Sequence, residues 1–266
     1  MFQNTRQSDS EQYKFGDSDI AAERLATVAE VFEPSSAEFL RRSVPPGIRL
    51  AVDLGCGPGH STRLIAAAAS GCRVVGLDSS DSFLARAAGG GQAGGVEFLR
   101  HDVRATPLPV QAPDLLYSRL LLAHLRDPQA VVTRWAAELA PSGRLLLEEV
   151  ENIASDHPVA ADYQSVVDGM LARHGQRIQI GCALSLMDDP PGTTGREDRL
   201  VTVRPASRQV GRMFALNLRA WSADPYVTAT FAADWLNRLQ QRLDEAADGR
   251  YELPVEWTMR QILFTT

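Results

Sequence analysis

The segment Ala51–His60 reads AVDLGCGPGH and sets Gly55, Gly57 and Gly59 just after an apolar run that contains Asp53. Glycine has no Cβ, so the backbone there can approach a bound molecule closely and adopt positive φ. Two further acids close later apolar runs: Asp78 ends VVGLD and Asp102 ends EFLRHD. A dinucleotide-binding turn reads G-x-G-x-x-G, and a phosphate-cradling loop ends in G-K-[ST]. From Gly55 this chain reads G-C-G-P-G-H, so the third glycine comes one residue early and His60 takes the later place. A pyrophosphate favours amide donors with no anion beside them, whereas Asp53 suits a cationic or hydrogen-bond-donating ligand. The rival reading, an NAD-dependent oxidoreductase, is disfavoured by that spacing.

The elements that must carry these residues alternate. IRLAVDLG, CRVVGLD, VEFLRHD, PDLLYS and GRLLLEEV read as strands, separated by the helical stretches STRLIAAAAS, DSFLARAA and PQAVVTRWAAELA. Near-continuous apolar strands alternating with helices predict an α/β fold with a doubly wound, mostly parallel sheet. RLVTVRP and the C-terminal VEWTMRQILFTT bring the expected strands to seven. Ahead of them, apolar residues at three- and four-residue steps predict a helix from Ser18 to Phe32, and Pro34 is expected to start a second one. After the fifth strand the alternation stops, which predicts an insertion over 151–198, a helix over 207–222 and another over 229–247. Ligands of such sheets bind beyond the carboxyl ends of the strands. Asp53, Asp78 and Asp102 therefore converge on one crevice, and they describe a ligand with an amino-bearing base, a ribose diol and a positively charged end.

S-adenosylmethionine has that pattern, and the residues also resemble a family. VDLGCGPG, GLDSS, HDVRATPLP, PDLLYSRLLLAHLRDP and LAPSGRLLLEE are together similar to the motifs of class I SAM-dependent methyltransferases, over residues 48–151. The resemblance implies a Rossmann-like fold and S-adenosylmethionine as cofactor. It implies that Asp53, Gly55, Gly57 and Gly59 cradle the methionine end, with Ser118 and Arg119 after the fourth strand close to its amino group. Asp78 and Ser79 would meet the ribose; Phe83 would pack on adenine, with Asp102 and the Val103 amide at its edge. A large aliphatic usually stands where this chain has Ser79. The segment YKFGDSDIAAERLATVAEVFEPSS resembles the lid of a small-molecule branch of the family. Residues 1–45 are thus expected to form a helical lid on a methyltransferase domain spanning 46–266, with Tyr13 and Phe15 near the reacting methyl group and Arg24 a partner for the methionine carboxylate.

Candidates for chemistry on the acceptor are fewer. In LLLAHLRDP, relatives carry two histidines; here the first place is Ala123 and His124 matches the second, which more often packs within the loop. Glu148, Glu149 and Glu151 end the fifth strand, and at least one is expected to face the crevice, with Glu149 and His124 the candidate catalytic residues. His157 and His174 could face a substrate but are expected on the surface, and Trp221, Trp235 and Trp257 in the core. The acceptor pocket is expected between the N-terminal helices, 151–198 and 207–226, walled by Phe15, Met170, Leu171, Leu184, Met187, Met213, Phe214, Leu216 and Trp221. Methyl transfer from a sulfonium is an in-line displacement with a neutral leaving group, so holding the reactants in line can suffice. The expected function is O-methylation of a small, partly apolar metabolite, of the kind met in secondary metabolism. Alternatives are N- or C-methylation, or a SAM-binding protein that catalyses another reaction.

Composition narrows the partners. Net charge is -6 with no basic cluster, which argues against a nucleic-acid partner. Three scattered cysteines form neither a disulfide framework nor a CxxC metal site. The polar N-terminus is unlike a signal peptide, and no apolar run is long enough to span a membrane. A cytoplasmic protein is expected, with a homodimer left open.

Overall fold

The structure, a computed structural model, describes residues 19–91, 94–173 and 175–266. Tyr13 and Phe15, expected near the reacting methyl group, and His174 lie outside the described residues. Seven strands form one sheet in the order β3-β2-β1-β4-β5-β7-β6. They are β1 (Leu50–Leu54), β2 (Arg73–Asp78), β3 (Val96–Arg100), β4 (Leu115–Arg119), β5 (Arg144–Ala154), β6 (Gly195–Val203) and β7 (Glu256–Thr265). The first five are parallel, and only β7 runs against its neighbours β5 and β6. Strand order reverses between β1 and β4, which makes the carboxyl ends there the natural ligand crevice.

Side chains alternate across the strands, so each face has its own core. On one face Ala51, Val74, Leu115 and Leu146 pack against Ile65 of α2 (His60–Ala68) and Phe39 and Leu40 of α1 (Asp19–Ser43). On the other, Val52, Val75, Leu116 and Leu145 meet Val131, Val132 and Trp135 of α4 (Pro128–Ala137). A third core lies beyond the strand ends. It joins α5 (Pro158–Ala172), α7 (Ser207–Trp221) and α9 (Ala233–Ala247) to the tip of β5 and to Val28, Val31 and Phe32 of α1. The remaining helices are α3 (Asp81–Gly89), α6 (Gly181–Ser185) and α8 (Pro225–Thr230). No helix among the described residues is long and apolar enough to cross a membrane.

The expected break at Pro34 is absent: α1 runs unbroken across it. Proline removes one helical hydrogen bond, but Phe32 before it and Phe39 after it are both buried, in two different cores. That tertiary burial outweighs the local preference. β5 extends to Ala154, beyond the expected Val150, because its tip continues to pair with β7 past a bulge between Val150 and Asn152. Likewise β6 begins at Gly195, inside the insertion expected over 151–198, where it pairs with Thr265.

Candidate active site

The carboxyl ends of β1, β2, β4 and β5 open into a cavity of about 680 Å³, a size typical of small-molecule sites. At its near end the turn after β1 supplies Gly55, Cys56 and Gly57. A Cβ added at Gly57 would meet only Leu25 at 3.7 Å, so open space lies over it, and its φ is +51°. At Gly55 a Cβ would stand 2.8 Å from Leu121 Cδ2, so that glycine admits the loop after β4. Asp78 ends β2 at the cavity wall; its Oδ2 accepts from the Gly57 amide at 2.8 Å and its Oδ1 from the Ser80 amide at 2.9 Å. Ser80 in turn caps α3 by accepting from the Phe83 amide, which turns the Phe83 ring into the cavity wall beside Ser79. Asp102 and Val103 complete this end. Asp102 is already held by Arg104, whose Nε and Nη2 donate at 2.9 and 2.7 Å. That guanidinium keeps the carboxyl below its ordinary range, and a carboxylate has acceptor capacity left for one more donor.

Asp53, Gly59 and Ser118, expected at the ligand, are not part of the cavity lining. Asp53 is 1 % exposed and does not line the cavity; its Oδ2 accepts from Ser61 Oγ at 2.7 Å and Thr62 Oγ1 at 2.6 Å, tying β1 to the start of α2. Burial pushes its pKa up to about 6, against the pull of those two hydroxyls. Gly59 caps α2 at φ +82°, and a Cβ there would meet Phe98 at 2.8 Å and Ala87 at 3.1 Å. It is a packing glycine. Ser118 is fully buried within β4, and its Oγ has no partner among the described residues. Arg119, one residue on, does reach the cavity wall, and its Nη1 donates to Ser36 Oγ at 3.0 Å.

The two glutamates at the tip of β5 face opposite sides of the sheet. Glu148 is fully buried away from the cavity and accepts from Ser36 Oγ and Tyr117 Oη at 2.7 Å each and from Gln261 Nε2 at 2.8 Å. Glu149, equally buried, lines the cavity. Its Oε1 accepts from the Leu121 and Leu122 amides at 2.7 Å each, which anchors the short 3-10 turn Leu122–His124, and its Oε2 has no partner among the described residues. Burial pushes Glu149 up to about 8, so its carboxyl is largely neutral at pH 7. His124 lines the same cavity, and burial together with the Arg24 charge pushes it down to about 4, so the imidazole is neutral. Glu151 turns away to Arg260 Nε at 2.7 Å.

The far end is walled by Val28 and Phe32 of α1, Val150 and Ile153 of β5, Val167 of α5, and Met213, Phe214 and Trp257. Met213 and Phe214 were expected here. Met170, Leu171, Leu184, Met187, Leu216 and Trp221 are buried in the cores and do not line the cavity, because their helix faces point at neighbouring helices or the sheet. Trp257, expected in the core, packs on Phe32 and Phe214 and still reaches the cavity. His157 does not reach it; the ring stacks on Tyr251 and caps α5. Arg24 is only 6 % exposed and lies at this end, where its charge affects both His124 and Tyr163. Tyr163, Gln164, Gln176 and Asn217 add polar groups that the sequence reading passed over. Tyr163, Gln164 and Asn217 sit on helices of mixed pattern and Gln176 in the segment after α5, and none of them carries a local signal.

Comparisons with known proteins agree with this geometry. A family described as methyltransferase domain matches residues 52–147. The chain is 36% identical over 235 residues to the trans-aconitate 2-methyltransferase of Delftia acidovorans, covering 81% of this chain and 87% of that one. It is 40% identical over 119 residues to the trans-aconitate 2-methyltransferase of Methylobacterium radiotolerans, a match that spans only 45% of that relative's length. In fold it is similar to the YcgJ protein from Bacillus subtilis, with a TM-score of 0.58 at 16% identity, covering 88% of this chain and 98% of that one.

Proposed function

Because the chain belongs to the class I S-adenosylmethionine-dependent methyltransferases, with that molecule as its cofactor, we propose that it methylates a carboxylate oxygen of a small, partly apolar acid. The observation that carries this reading is the Arg24 guanidinium, 6 % exposed, which lines the cavity close to the apolar groups of Val28, Phe32 and Trp257. A guanidinium at a cavity wall can hold a carboxylate through charge-assisted, bidentate hydrogen bonds. The relatives' names also point to a carboxylic acid as acceptor, while the aromatic and aliphatic wall suits an acid with an apolar body. Arg24 is thereby reassigned from the methionine carboxylate to the acceptor.

S-adenosylmethionine supplies an electrophilic methyl group on a cationic sulfur. In this reading Asp78 and Ser79 take the ribose hydroxyls, Phe83 the adenine face, and Asp102 with the Val103 amide its edge. Gly55, Gly57 and Arg119 line the methionine end. A carboxylate acceptor is ionised at neutral pH, so no residue has to remove a proton. That agrees with a neutral His124 and a neutral Glu149 as wall groups. Val28, Phe32 and Trp257 exclude water, and Arg24 orients the nucleophile for in-line attack. The N-terminal half of α1 is the movable wall, continuing the lid expected over residues 1–45, while its C-terminal half stays on the sheet.

The test is product chemistry. Incubation with S-adenosylmethionine and a set of carboxylic acids, trans-aconitate and phenylacetate included, should yield base-labile methyl esters. Arg24→Gln should lower kcat/KM for the acid and leave S-adenosylhomocysteine affinity intact. Methylation confined to amines or to carbon would overturn the reading.

A further inference from the structure

Tyr163 on α5 and Asn217 on α7 meet at the cavity wall, 4 % and 7 % exposed. Asn217 Nδ2 donates to Tyr163 Oη, and Asn217 Oδ1 has no partner among the described residues. The Tyr163 ring is fixed by packing: it stacks on Phe214 with centroids 3.7 Å apart and planes 9° from parallel, and it stacks 6.0 Å from Trp221. Phe214, Asn217 and Trp221 follow at three- and four-residue steps and so share one face of α7. The hydroxyl is therefore held in place with little freedom. Burial raises its pKa, so it stays protonated.

A phenol carries one proton and here its oxygen is already an acceptor, so the O–H has to find an acceptor elsewhere. If the amide sat the other way round, Oδ1 would take the phenol proton and an N–H would be left over instead. Either orientation leaves at least one donor and one acceptor of the pair unspent, side by side. Buried polar groups are rarely left so without a purpose. A carboxylate offers no donor to such a couple and an alkyl group offers neither, whereas a hydroxyl accepts and donates through one oxygen.

We propose that Tyr163 and Asn217 are specificity residues that hold a hydroxyl of the acceptor, so that the preferred substrates are small hydroxycarboxylic acids with an apolar body. This rests on the carboxylate reading for the group at Arg24. The test uses the full-length protein with S-adenosylmethionine and four probes: phenylacetate, mandelate, para-hydroxyphenylacetate and phenylmalonate. Binding of the same acids to the S-adenosylhomocysteine complex is followed by calorimetry. At least one hydroxylated acid should exceed phenylacetate in kcat/KM by about tenfold or more, since a site built for a hydroxyl rejects an analogue lacking it. In Tyr163→Phe, which keeps the ring stack, and in Asn217→Leu, that ratio should fall to about twofold or less, with S-adenosylhomocysteine affinity unchanged. Equal handling of parent and hydroxylated acids overturns the proposal, as does a ratio that survives both variants or a preference for phenylmalonate. A base-stable ether in place of the ester overturns the carboxylate reading alone. Failure of all four acids to bind overturns both.

Discussion

The cavity wall and the layer directly behind it are built from neighbouring residues, on the same short segment or on adjacent strands. Glu149 lines the cavity with one oxygen unpartnered among the described residues, while its neighbour Glu148 is satisfied by Ser36, Tyr117 and Gln261 on the other side of the sheet. Gly57 has open space over it, while Gly59 is packed against Phe98. Asp78 stands at the wall, while Asp53 is enclosed by Ser61 and Thr62. In each pair one residue lines the cavity and the other is enclosed in the layer behind it. Strand alternation explains the glutamates, and the tight strand-to-helix turn explains the glycines. A binding motif is thus about half scaffold, and the two halves should respond differently to mutation.

The largest separation is expected within the glycine turn. Gly57→Val should abolish S-adenosylhomocysteine binding, because the branched side chain fills the space over the loop, and calorimetry reads that loss directly. Gly59→Ala should bind once folded but lose about 1–3 kcal/mol of stability through overpacking. If the two variants behaved alike, the division of the turn into wall and support would fail. Next is Glu148→Ala. Leaving Tyr117, Ser36 and Gln261 unsatisfied in a buried network should cost about 3 kcal/mol or more in urea denaturation, with cofactor affinity of the folded protein unchanged. Its counterpart on the wall side is Asp78→Ala, which should weaken S-adenosylhomocysteine by about 3 kcal/mol through lost bonds to a charged acceptor. A loss of stability without loss of affinity would move Asp78 into the supporting layer.

The titration of Glu149 gives a smaller effect with a definite sign. Its native pKa lies near 8 against an ordinary 4.5. The folded state therefore keeps a proton that the unfolded chain has released, and stability falls as pH rises through that window. Glu149→Gln should flatten that part of the pH–stability curve and be the more stable protein above about pH 8. Asp53, raised to about 6 from 3.8, adds a contribution of the same sign at lower pH. An unchanged curve in Glu149→Gln would place the slope elsewhere. The smallest effect concerns α1. Hydrogen exchange of residues 19–33 should slow when S-adenosylhomocysteine is added. Residues 35–43, held by Ser36 on Glu148 and by buried Phe39 and Leu40, should not respond. A uniform response along the helix would mean that it moves, or stays, as one body.

Most of the cofactor end was legible because its signals are local. A glycine turn after an apolar strand, and acids at successive strand ends, are fixed by residues adjacent in the chain, so the position of Asp78 and Asp102 at one crevice followed from periodicity, while Phe83 followed from the family resemblance. The acceptor end was not. Tyr163 and Asn217 lie 54 positions apart, on helices whose apolar residues face three different neighbours, and nothing in either helix marks which side looks into a cavity. The same reason misplaced Met170, Leu171 and Leu216, apolar residues that went to helix–helix contacts. It also hid the reach of Trp257.

The amino-acid sequence by itself determined the doubly wound sheet, the crevice at its strand ends and the kind of cofactor that fits there, because hydrophobic period and turn chemistry act over a few residues. Only the tertiary structure decided which motif residues line the cavity and which stand behind them. It also decided that α1 continues through Pro34, that β5 and β6 lengthen against β7, and that Arg24, Tyr163 and Asn217 share one cavity. Those outcomes depend on burial shared between segments far apart in the chain, and such burial can outweigh the local preference of any one of them.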